Sequence, residues 1–317
     1  MNVQDLGEWS NRAMLAGGLI VFAIFAVLPS FFGAYQINIL TRVFILAFFA
    51  MAFNIAFGFT NLPSFGHAAF FGLGAYGVGI VFTEYVTGSL LIPVIVALLV
   101  AFVFSLFMGV ASIRGRGIYF SLLTFAFAQF LYEVGFRWTE FTGGDDGLIV
   151  IIPEVFGTTI TGPENVYYIA LVLLALLTIA MHRLLNSPFG KVMEAIRKNQ
   201  DRTSAIGYPV RRVQILVFAM SGTLASIAGI LQMLNNSFVS PSVLFWQQSI
   251  DGLVAVIIGG STTLFGPIVG AFFLVLLREG VRDLANIGIV LTGVVFIAII
   301  LLASDGLVGI VKNYFEE

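Results

Sequence analysis

The chain has 317 residues, of which 59% are hydrophobic and only 10% are charged, and its formal net charge is −2. This charge is too sparse to cover a compact water-soluble body, so the composition excludes an ordinary soluble enzyme and a disordered chain. A small net charge offers no basic field to a polyanion, which excludes a nucleic-acid-binding protein. No cysteine and only two histidines occur, so we expect no disulfide, thiol nucleophile or protein-built metal centre. The sequence therefore predicts an all-α polytopic membrane protein.

The predicted spans are the stretches that contain no Asp, Glu, Lys or Arg, because a spanning helix needs about 20 mostly apolar residues. These stretches are 13–41, 43–83, 85–113, 117–132, 165–182, 213–250, 252–277 and 284–304. Pro63 lies near the middle of 43–83, so this stretch is predicted to hold two passes, about 36–59 and 65–84. We predict eight to ten passes, with ten preferred, in a single transmembrane domain over residues 1–317.

Two further stretches are interrupted by polar segments, and the second of them is predicted to contain a broken or re-entrant helix. In 213–250 a helix over 213–234 is followed by the polar connector NNSFVSPS. In 252–277 the segment GGSTTLFGP predicts a half-helix, a turn and a second helix. Irregular backbone at membrane depth is tolerated only where it is packed in protein or lines a cavity.

The first group of candidate path residues interrupts the apolar segment 57–79. Its members are Asn61, Pro63, Ser64, Gly66 and His67. Pro63 ends a helix and frees backbone groups for a cavity or a neighbouring chain. His67 is a candidate proton carrier or substrate contact, but an interhelical hydrogen bond is the favoured interpretation.

The second group lies in the segment 251–273, which is likewise an apolar segment interrupted by Gly, Ser, Thr and Pro. Its members are Gly259, Gly260, Ser261, Gly266 and Pro267. FG-x-x-x-FF occurs at 65–71 and, with two extra residues, at 265–273, which favours two related halves; chance similarity in a Gly/Phe-rich sequence is the alternative. Paired broken helices in corresponding positions point to a translocation path. Gln129 is a mid-helix amide expected to face another helix or a cavity.

Orientation follows from the basic residues, seven of which fall in 183–212. They are Arg183, Lys191, Arg197, Lys198, Arg202, Arg211 and Arg212. The positive-inside rule makes the loop 186–212 cytoplasmic, the acidic loop 137–164 periplasmic, and the loop with Arg114 and Arg116 cytoplasmic again. In the periplasmic loop, TGGDDGL at 142–148 gives weak support for a Ca²⁺ site, and an acidic turn facing a periplasmic partner is favoured.

The cytoplasmic loop 186–212 is punctuated by Pro188 and Gly190 at its start and by Gly207 and Pro209 at its end. Between them VMEAIRKNQDRTSAI predicts one short amphipathic helix outside the bilayer. A basic helix that only sets topology is the alternative to a docking element for a soluble partner, and docking is favoured. No phosphate-binding loop, dinucleotide fingerprint or nucleophile elbow occurs, so any ATP that drives transport must be bound by another chain.

Five stretches together resemble the permeases of branched-chain amino acid ABC importers, and the LivM-type subunit more than its LivH-type partner. They are NLPSFGHAAFFGLGAY (61–76), RGRGIYFSLLTFAFAQ (114–129), TGGDDGL (142–148), SPFGKVMEAIRKNQDRTSAIGY (187–208) and VIIGGSTTLFGPIVGA (256–271). The resemblance runs in order over roughly 40–280. It implies the inverted-repeat fold of these permeases, a bacterial inner-membrane location and no catalytic residue or cofactor on this chain.

The resemblance also implies partners and a coupling loop. A second, LivH-type permease, two cytoplasmic ATPases that bind ATP and Mg²⁺, a periplasmic substrate-binding protein and membrane lipid would surround the chain. The stretch 187–208 corresponds to the family's ATPase-coupling loop, in which Glu194, Ala195 and Gly207 match and Ile196 replaces a second Ala. An apolar side chain at Ile196 would still suit a helix docked in an ATPase groove. Lys191 and Arg197 would meet acidic groups or lipid phosphates.

The implied function is transport of leucine, isoleucine and valine, driven by ATP hydrolysis on separate subunits. A permease for urea, short amides or aromatic acids is the alternative within this class. A proton- or sodium-coupled secondary transporter should show buried carboxylates on unwound helices, and the charge-free spans oppose it. A membrane enzyme lacks a clustered set of acids, bases or ligands, and a channel would leave the docking loop without a purpose.

Overall fold

The computed structural model describes residues 17–18, 21–84, 90–151, 160–282 and the isolated positions 290, 293–294, 297 and 306–307. The predicted span over 284–304 lies almost entirely outside these residues. In the described part, five helices are long and apolar enough to cross a membrane, and two shorter apolar helices, Val21–Ser30 and His67–Thr83, accompany them. The chain is an all-α polytopic membrane protein, as predicted, whereas the total of eight to ten passes stays a prediction.

Eleven helices are described after the apolar segment Val21–Ser30. They are α1 (Ala34–Thr60), α2 (His67–Glu84), α3 (Leu91–Ser112), α4 (Ile118–Arg137), α5 (Thr139–Thr142), α6 (Pro163–Asn186), α7 (Pro188–Lys198), α8 (Gln200–Ala205), α9 (Val210–Asn236), α10 (Gln247–Gly259) and α11 (Gly266–Gly280). Two short strands, β1 (Leu148–Ile149) and β2 (Phe238–Val239), pair antiparallel.

Helices α1, α2 and α9 form the centre of the bundle. The most apolar part of α1 is 94% buried, against 28% for the corresponding part of α3. On α3 the side chains of Leu99, Val103 and Phe107 form an exposed stripe one turn apart. A helix that is apolar on every face and buried is a core helix, so α1 lies inside protein while the outer stripe of α3 is suited to lipid.

An aromatic cluster ties the three central helices together. Phe53 of α1, Phe70 of α2 and Phe218 of α9 surround the His67 ring, with ring centroids 4.5, 5.5 and 5.5 Å away. The Phe70 and Phe218 rings also meet edge to face at 5.5 Å. Edge-to-face pairs stabilise such a core by about 0.5–1.5 kcal/mol each beyond the area that they bury.

Asn61 ends α1 in a left-handed conformation, at φ 55° and ψ 44°. The N–H groups of Asn61 and Leu62 donate to the carbonyl oxygens of Phe57 and Ala56, the pattern of a helix C-cap. Pro63 follows and cannot continue the helix. The predicted division of 43–83 into two helices is therefore confirmed, with the break over residues 61–66.

Helices α10 and α11 form the predicted pair of half-helices on either side of a turn. Gly260 adopts φ +108° after α10, and the Thr263 hydroxyl accepts from the N–H of Gly266, where α11 begins. Near the open end of this hairpin, Arg278 donates two hydrogen bonds of 2.6 and 2.7 Å to the Asp251 carboxylate. The bidentate pair joins the two half-helices.

The two ends of the bundle differ in charge. Residues 113–117 line one cavity together with residues from 200–214, so the two predicted cytoplasmic loops share an end, called here the basic end. At the other, acidic end, β1 in the acidic loop pairs with β2, which follows α9. These positions agree with the predicted alternation of the loops.

Candidate functional site

The two segments predicted to line a translocation path are 57–79 and 251–273. The first of them is held deep in the bundle. His67 Nε2 lies 2.8 Å from Ser221 Oγ, and that hydroxyl donates to the carbonyl oxygen of Ala52 at 2.6 Å. Ser221 is therefore an acceptor for His67, and Nε2 carries the imidazole proton. Ala52 is eight residues before the end of α1, so α2 begins about 12 Å inside that end.

Polar side chains from α4 and α10 satisfy the backbone of this break. Ser121 donates to the carbonyl oxygen of Pro63 at 2.6 Å, and Thr124 accepts from the N–H of Phe65 at 3.2 Å. Ser249 accepts from the N–H of Ala68 at 2.8 Å. The inner part of the break, around Ser64 and Gly66, is thus buried in protein, which is the condition for irregular backbone at membrane depth. Ser249 also places the start of α10 beside the start of α2.

The His67 side chain is fully buried, and its hydrogen bond supports the interhelical interpretation. We predict that His67→Gln keeps uptake and its pH dependence, because the glutamine amide can still donate to Ser221. His67→Leu should instead lower stability by about 1–3 kcal/mol, since Ser221 loses a buried partner. Thermal unfolding in detergent tests the loss of stability. Uptake measured between about pH 5.5 and 8, the range in which an ordinary histidine titrates, tests the pH dependence. A steep pH dependence that disappears in His67→Gln would make His67 a proton carrier.

The second broken segment packs against the end of α1 and not against His67. A Cβ on Gly58 would overlap with the carbonyl oxygen of Ser261 and with Asn54 Oδ1. Gly259 and Gly266 lie close together on either side of the hairpin turn. A Cβ on Gly259 would overlap with the Gly266 carbonyl. Pro267 lies in the first turn of α11, where it needs no N–H partner.

The predicted path residues therefore fall into three places. Asn61 and Pro63 line a cavity at the basic end, Ser64, Gly66 and His67 are buried at the centre, and the second group lies beside the end of α1. Gln129 is separate from all of these on α4, and its buried Oε1 has no hydrogen-bond partner in the described part of the chain. Whether they line one path stays a prediction.

The segment 186–212 folds into two helices, so the prediction of one helix over VMEAIRKNQDRTSAI is wrong. Asn199 leaves the helical conformation, with φ −163° and ψ 104°, and its side chain accepts from the N–H of Arg202. Asn199 is therefore the N-cap of α8. Ser187 caps α7 in the same way through the N–H of Gly190, with Pro188 next in the chain. Each helix has its own start signal.

Helix α7 turns one face to the bundle and one to the exterior. Met193 and Ile196 are fully buried, so both side chains anchor α7 to the bundle, and the place of Ile196 in a coupling loop stays a prediction. Glu194 is half exposed and pairs with Lys198 at 2.8 Å and with Lys191 at 3.9 Å. The hydrogen bond from Lys198 holds the pKa of Glu194 below its usual value. The exterior face therefore presents paired charges, with Arg197 exposed to a lesser degree and Ala195 partly covered.

A cavity of about 670 Å³ lies between α8, the loop 113–117 and the start of the α1–α2 break. Arg116 and Asp201 form an ion pair of 3.2 Å across it, and both side chains are more than two-thirds exposed. Such a pair stabilises by at most about 1 kcal/mol. It nevertheless joins α8 to the loop before α4, and α4 in turn holds the break through Ser121 and Thr124.

The acidic turn at 142–148 is built by glycines in left-handed conformations, with φ +74° at Gly143, +57° at Gly144 and +70° at Gly147. Thr142 fixes the turn by donating to the Gly135 carbonyl and accepting from the N–H of Gly144. Among the described residues, no group of three or more His, Cys, Asp or Glu could hold a metal ion. A Ca²⁺ site here has no structural support.

The side chains that hold the α1–α2 break were not predicted from the sequence. Ser121, Thr124, Ser221 and Ser249 sit within apolar helices and carry no local motif. Their one sequence signal is a small hydroxyl residue in a span, a type that commonly bonds between membrane helices. The serines and glutamines of the segment 240–248 were also missed, because the strand pairing brings that segment to the acidic turn only in the folded chain.

Comparison with known proteins gives this arrangement a family. The family model described as "Branched-chain amino acid transport system / permease component" matches residues 35–304. The high-affinity branched-chain amino acid transport system permease protein LivM of Escherichia coli K12 is 26% identical over 95% of this chain and 76% of its own length. The probable LivM of Methanocaldococcus jannaschii is 24% identical over 57% of this chain and 62% of its own.

More distant likeness extends to a sugar permease. The ribose import permease protein RbsC of Escherichia coli K12 is 28% identical over 126 residues, which are 38% of each chain. No solved structure matches the chain significantly. Because the family model covers both broken segments and the elements α7 and α8, the match includes every part of the candidate site. The chain belongs to the family of permease components of branched-chain amino acid transport systems.

Proposed function

We propose that the chain is one membrane subunit of an ABC importer for leucine, isoleucine and valine. The observation that carries the proposal is the family match over residues 35–304, supported by the LivM relatives along nearly the whole chain. In this proposal a second, LivH-type permease completes the path in the bacterial inner membrane. Two cytoplasmic ATPases bind ATP and Mg²⁺, and a periplasmic protein delivers the amino acid.

The basic end supplies the attachment point for the ATPases. Helix α7 is anchored by Met193 and Ile196 and exposes the charged group around Glu194, so a partner that grips this face moves the helix as a rigid unit. That movement passes through α8 and the Arg116–Asp201 pair to the loop before α4. Ser121 and Thr124 on α4 then transmit it to the α1–α2 break. In this proposal ATP hydrolysis drives the opening of the path, and no proton or sodium gradient is needed.

The dependence of uptake on ATP inside right-side-out vesicles tests the proposal. Membrane vesicles that contain this chain with a second permease, the ATPases and the binding protein should take up leucine only when ATP is inside. Isoleucine and valine should compete, while urea, short amides and aromatic acids should not. The matched control is an ATPase variant that binds ATP but does not hydrolyse it. Uptake driven by a proton or sodium gradient in vesicles without ATP would replace the proposal with a secondary transporter.

A further inference from the structure

A groove of about 510 Å³ opens at the acidic end of the bundle, away from the coupling helices. One wall is the acidic turn, a second is the connector between β2 and α10, and a third is α4. Its size lies within the range of about 300–1,000 Å³ that holds small ligands. The groove combines one carboxylate, several hydroxyl and amide groups and an aromatic wall, which together are the chemistry of an amino-acid site.

Asp145 supplies the negative charge of the groove. It is exposed and has no ion-pair partner among the residues that the structure describes. The turn that carries it is rigid, because Gly147 packs against the Val239 carbonyl and Thr142 is hydrogen-bonded on both sides. A fixed carboxylate without a counter-charge is suited to a ligand ammonium group, to which it can form a charge-assisted hydrogen bond.

The connector supplies neutral donors to the same groove. Gln247 and Gln248 lie in the first turn of α10, and both border the groove. Ser240 and Ser242 also border it, with their hydroxyl oxygens 2.8 Å apart. Amide and hydroxyl groups can donate to a carboxylate, and the first turn of a helix favours negative charge. The groove therefore offers donors to a carboxylate and an acceptor to an ammonium group on different walls.

The third wall is aromatic and continues along α4. Tyr132 and Phe245 have ring centroids 5.2 Å apart, and Phe245 is followed by Trp246, which meets Phe125 at 6.4 Å. Gln129 lies between Tyr132 and Phe125 on the same stripe of α4. An aliphatic side chain can pack on this wall, and the stripe continues along α4 beyond the groove lining.

We propose that this groove binds the transported molecule as a zwitterionic α-amino acid. Asp145 binds the ammonium group, the glutamines and serines of the connector bind the carboxylate, and Tyr132 with Phe245 packs against the branched side chain. The inference rests on the proposed function and deepens it by giving this chain its own contacts with the substrate. Urea and simple amides carry neither charge, and aromatic acids lack the ammonium group that Asp145 requires.

Cysteine protection tests the groove directly, because the chain has no cysteine of its own. In the assembled transporter in vesicles, Ser242→Cys places a thiol in the groove, and Asp146→Cys places one in the same turn but outside the groove lining. Leucine should slow modification of the first thiol by an impermeant reagent and leave the second unchanged. 4-Methylpentanoate, which lacks the ammonium group, and 3-methylbutylamine, which lacks the carboxylate, should not protect. Protection by all three compounds would overturn zwitterion recognition.

Charge removal gives an independent measurement. Asp145→Asn should raise the leucine concentration for half-maximal uptake about tenfold or more, as expected on loss of a charge-assisted hydrogen bond. Asp146→Asn, the matched control one residue away, should leave it unchanged. Equal losses in both variants would overturn the site in favour of an acidic surface that docks the binding protein.

The groove and the proposed function fail in different ways. If vesicles take up leucine but leucine does not protect Ser242→Cys, the groove inference is overturned and the importer stands. If vesicles take up another zwitterionic amino acid and not leucine, and that amino acid protects the thiol, the groove stands and the branched-chain assignment falls. If no zwitterion protects the thiol, the groove inference is overturned whatever is transported.

Discussion

Gly207→Pro is expected to reduce the rate of ATP-driven uptake about tenfold or more, while the permease remains inserted in the membrane. Gly207 has φ +95°, and its N–H donates to the Ser204 carbonyl at 3.0 Å. Proline requires φ near −65° and has no N–H, so the connection from α8 to α9 must change at a cost of about 3 kcal/mol or more. The helices that the ATPases are proposed to grip would then be displaced.

Alanine variants at two glycines separate coupling from backbone strain. Gly207 and Gly162 both have positive φ, and a Cβ at either position meets nothing within 4 Å. Gly207→Ala at the basic end and Gly162→Ala at the acidic end therefore carry similar strain, about 1–3 kcal/mol. We expect only Gly207→Ala to separate ATP hydrolysis from uptake, measured together in proteoliposomes. Normal coupling in Gly207→Pro would refute the docking role of this segment.

Gly270→Val is expected to prevent the α10–α11 hairpin from closing. A Cβ on Gly270 would overlap with the backbone carbonyl of Ala255, and a backbone atom cannot move aside as a flexible side chain can. We expect destabilisation of at least about 3 kcal/mol, the upper end of the range for overpacking. Thermal unfolding in detergent and size-exclusion chromatography should show loss of the monodisperse folded subunit.

Gly280→Val is the matched control on the same helix, because a Cβ at Gly280 meets nothing within 4 Å. Both variants add the same side chain to α11, Gly270 in its interior and Gly280 as its last residue, so hydrophobicity changes equally. Equal unfolding temperatures for the two variants would mean that the α10–α11 crossing is looser than described. A large loss in Gly270→Val alone supports the close crossing that brings Gly259 beside Gly266.

Local sequence signals predicted the breaks well. Pro63, preceded by Asn61, marked the end of α1, and the glycines of 259–266 marked the hairpin turn, because these residues restrict or free the backbone by themselves. Asn199 was less informative. An asparagine can occur in the middle of a polar helix as well as at a helix N-cap. Only the structure shows that Asn199 is the N-cap of α8.

Contacts that depend only on tertiary packing could not be predicted from the sequence. Ile196 lies on the apolar face of an amphipathic helix, and such a face can meet either its own bundle or a partner. Ser221 and Ser249 bond groups 169 and 181 residues away, and no local pattern records such a separation. The pairing of β1 with β2 likewise follows from the positions of the helices that precede them, so the groove beside it was invisible in the sequence.

The aromatic cluster around His67 has a consequence for how transport can proceed. Interlocked rings from α1, α2 and α9 cannot slide past one another in small increments, since a packed core has discrete arrangements. We therefore expect these three helices to move as one unit during transport, and α4 and the α10–α11 hairpin to tilt against them. Ser121, Thr124 and Ser249 bond α4 and α10 to the α1–α2 segment, so these hydroxyl contacts are the places where such a tilt would be passed to the core.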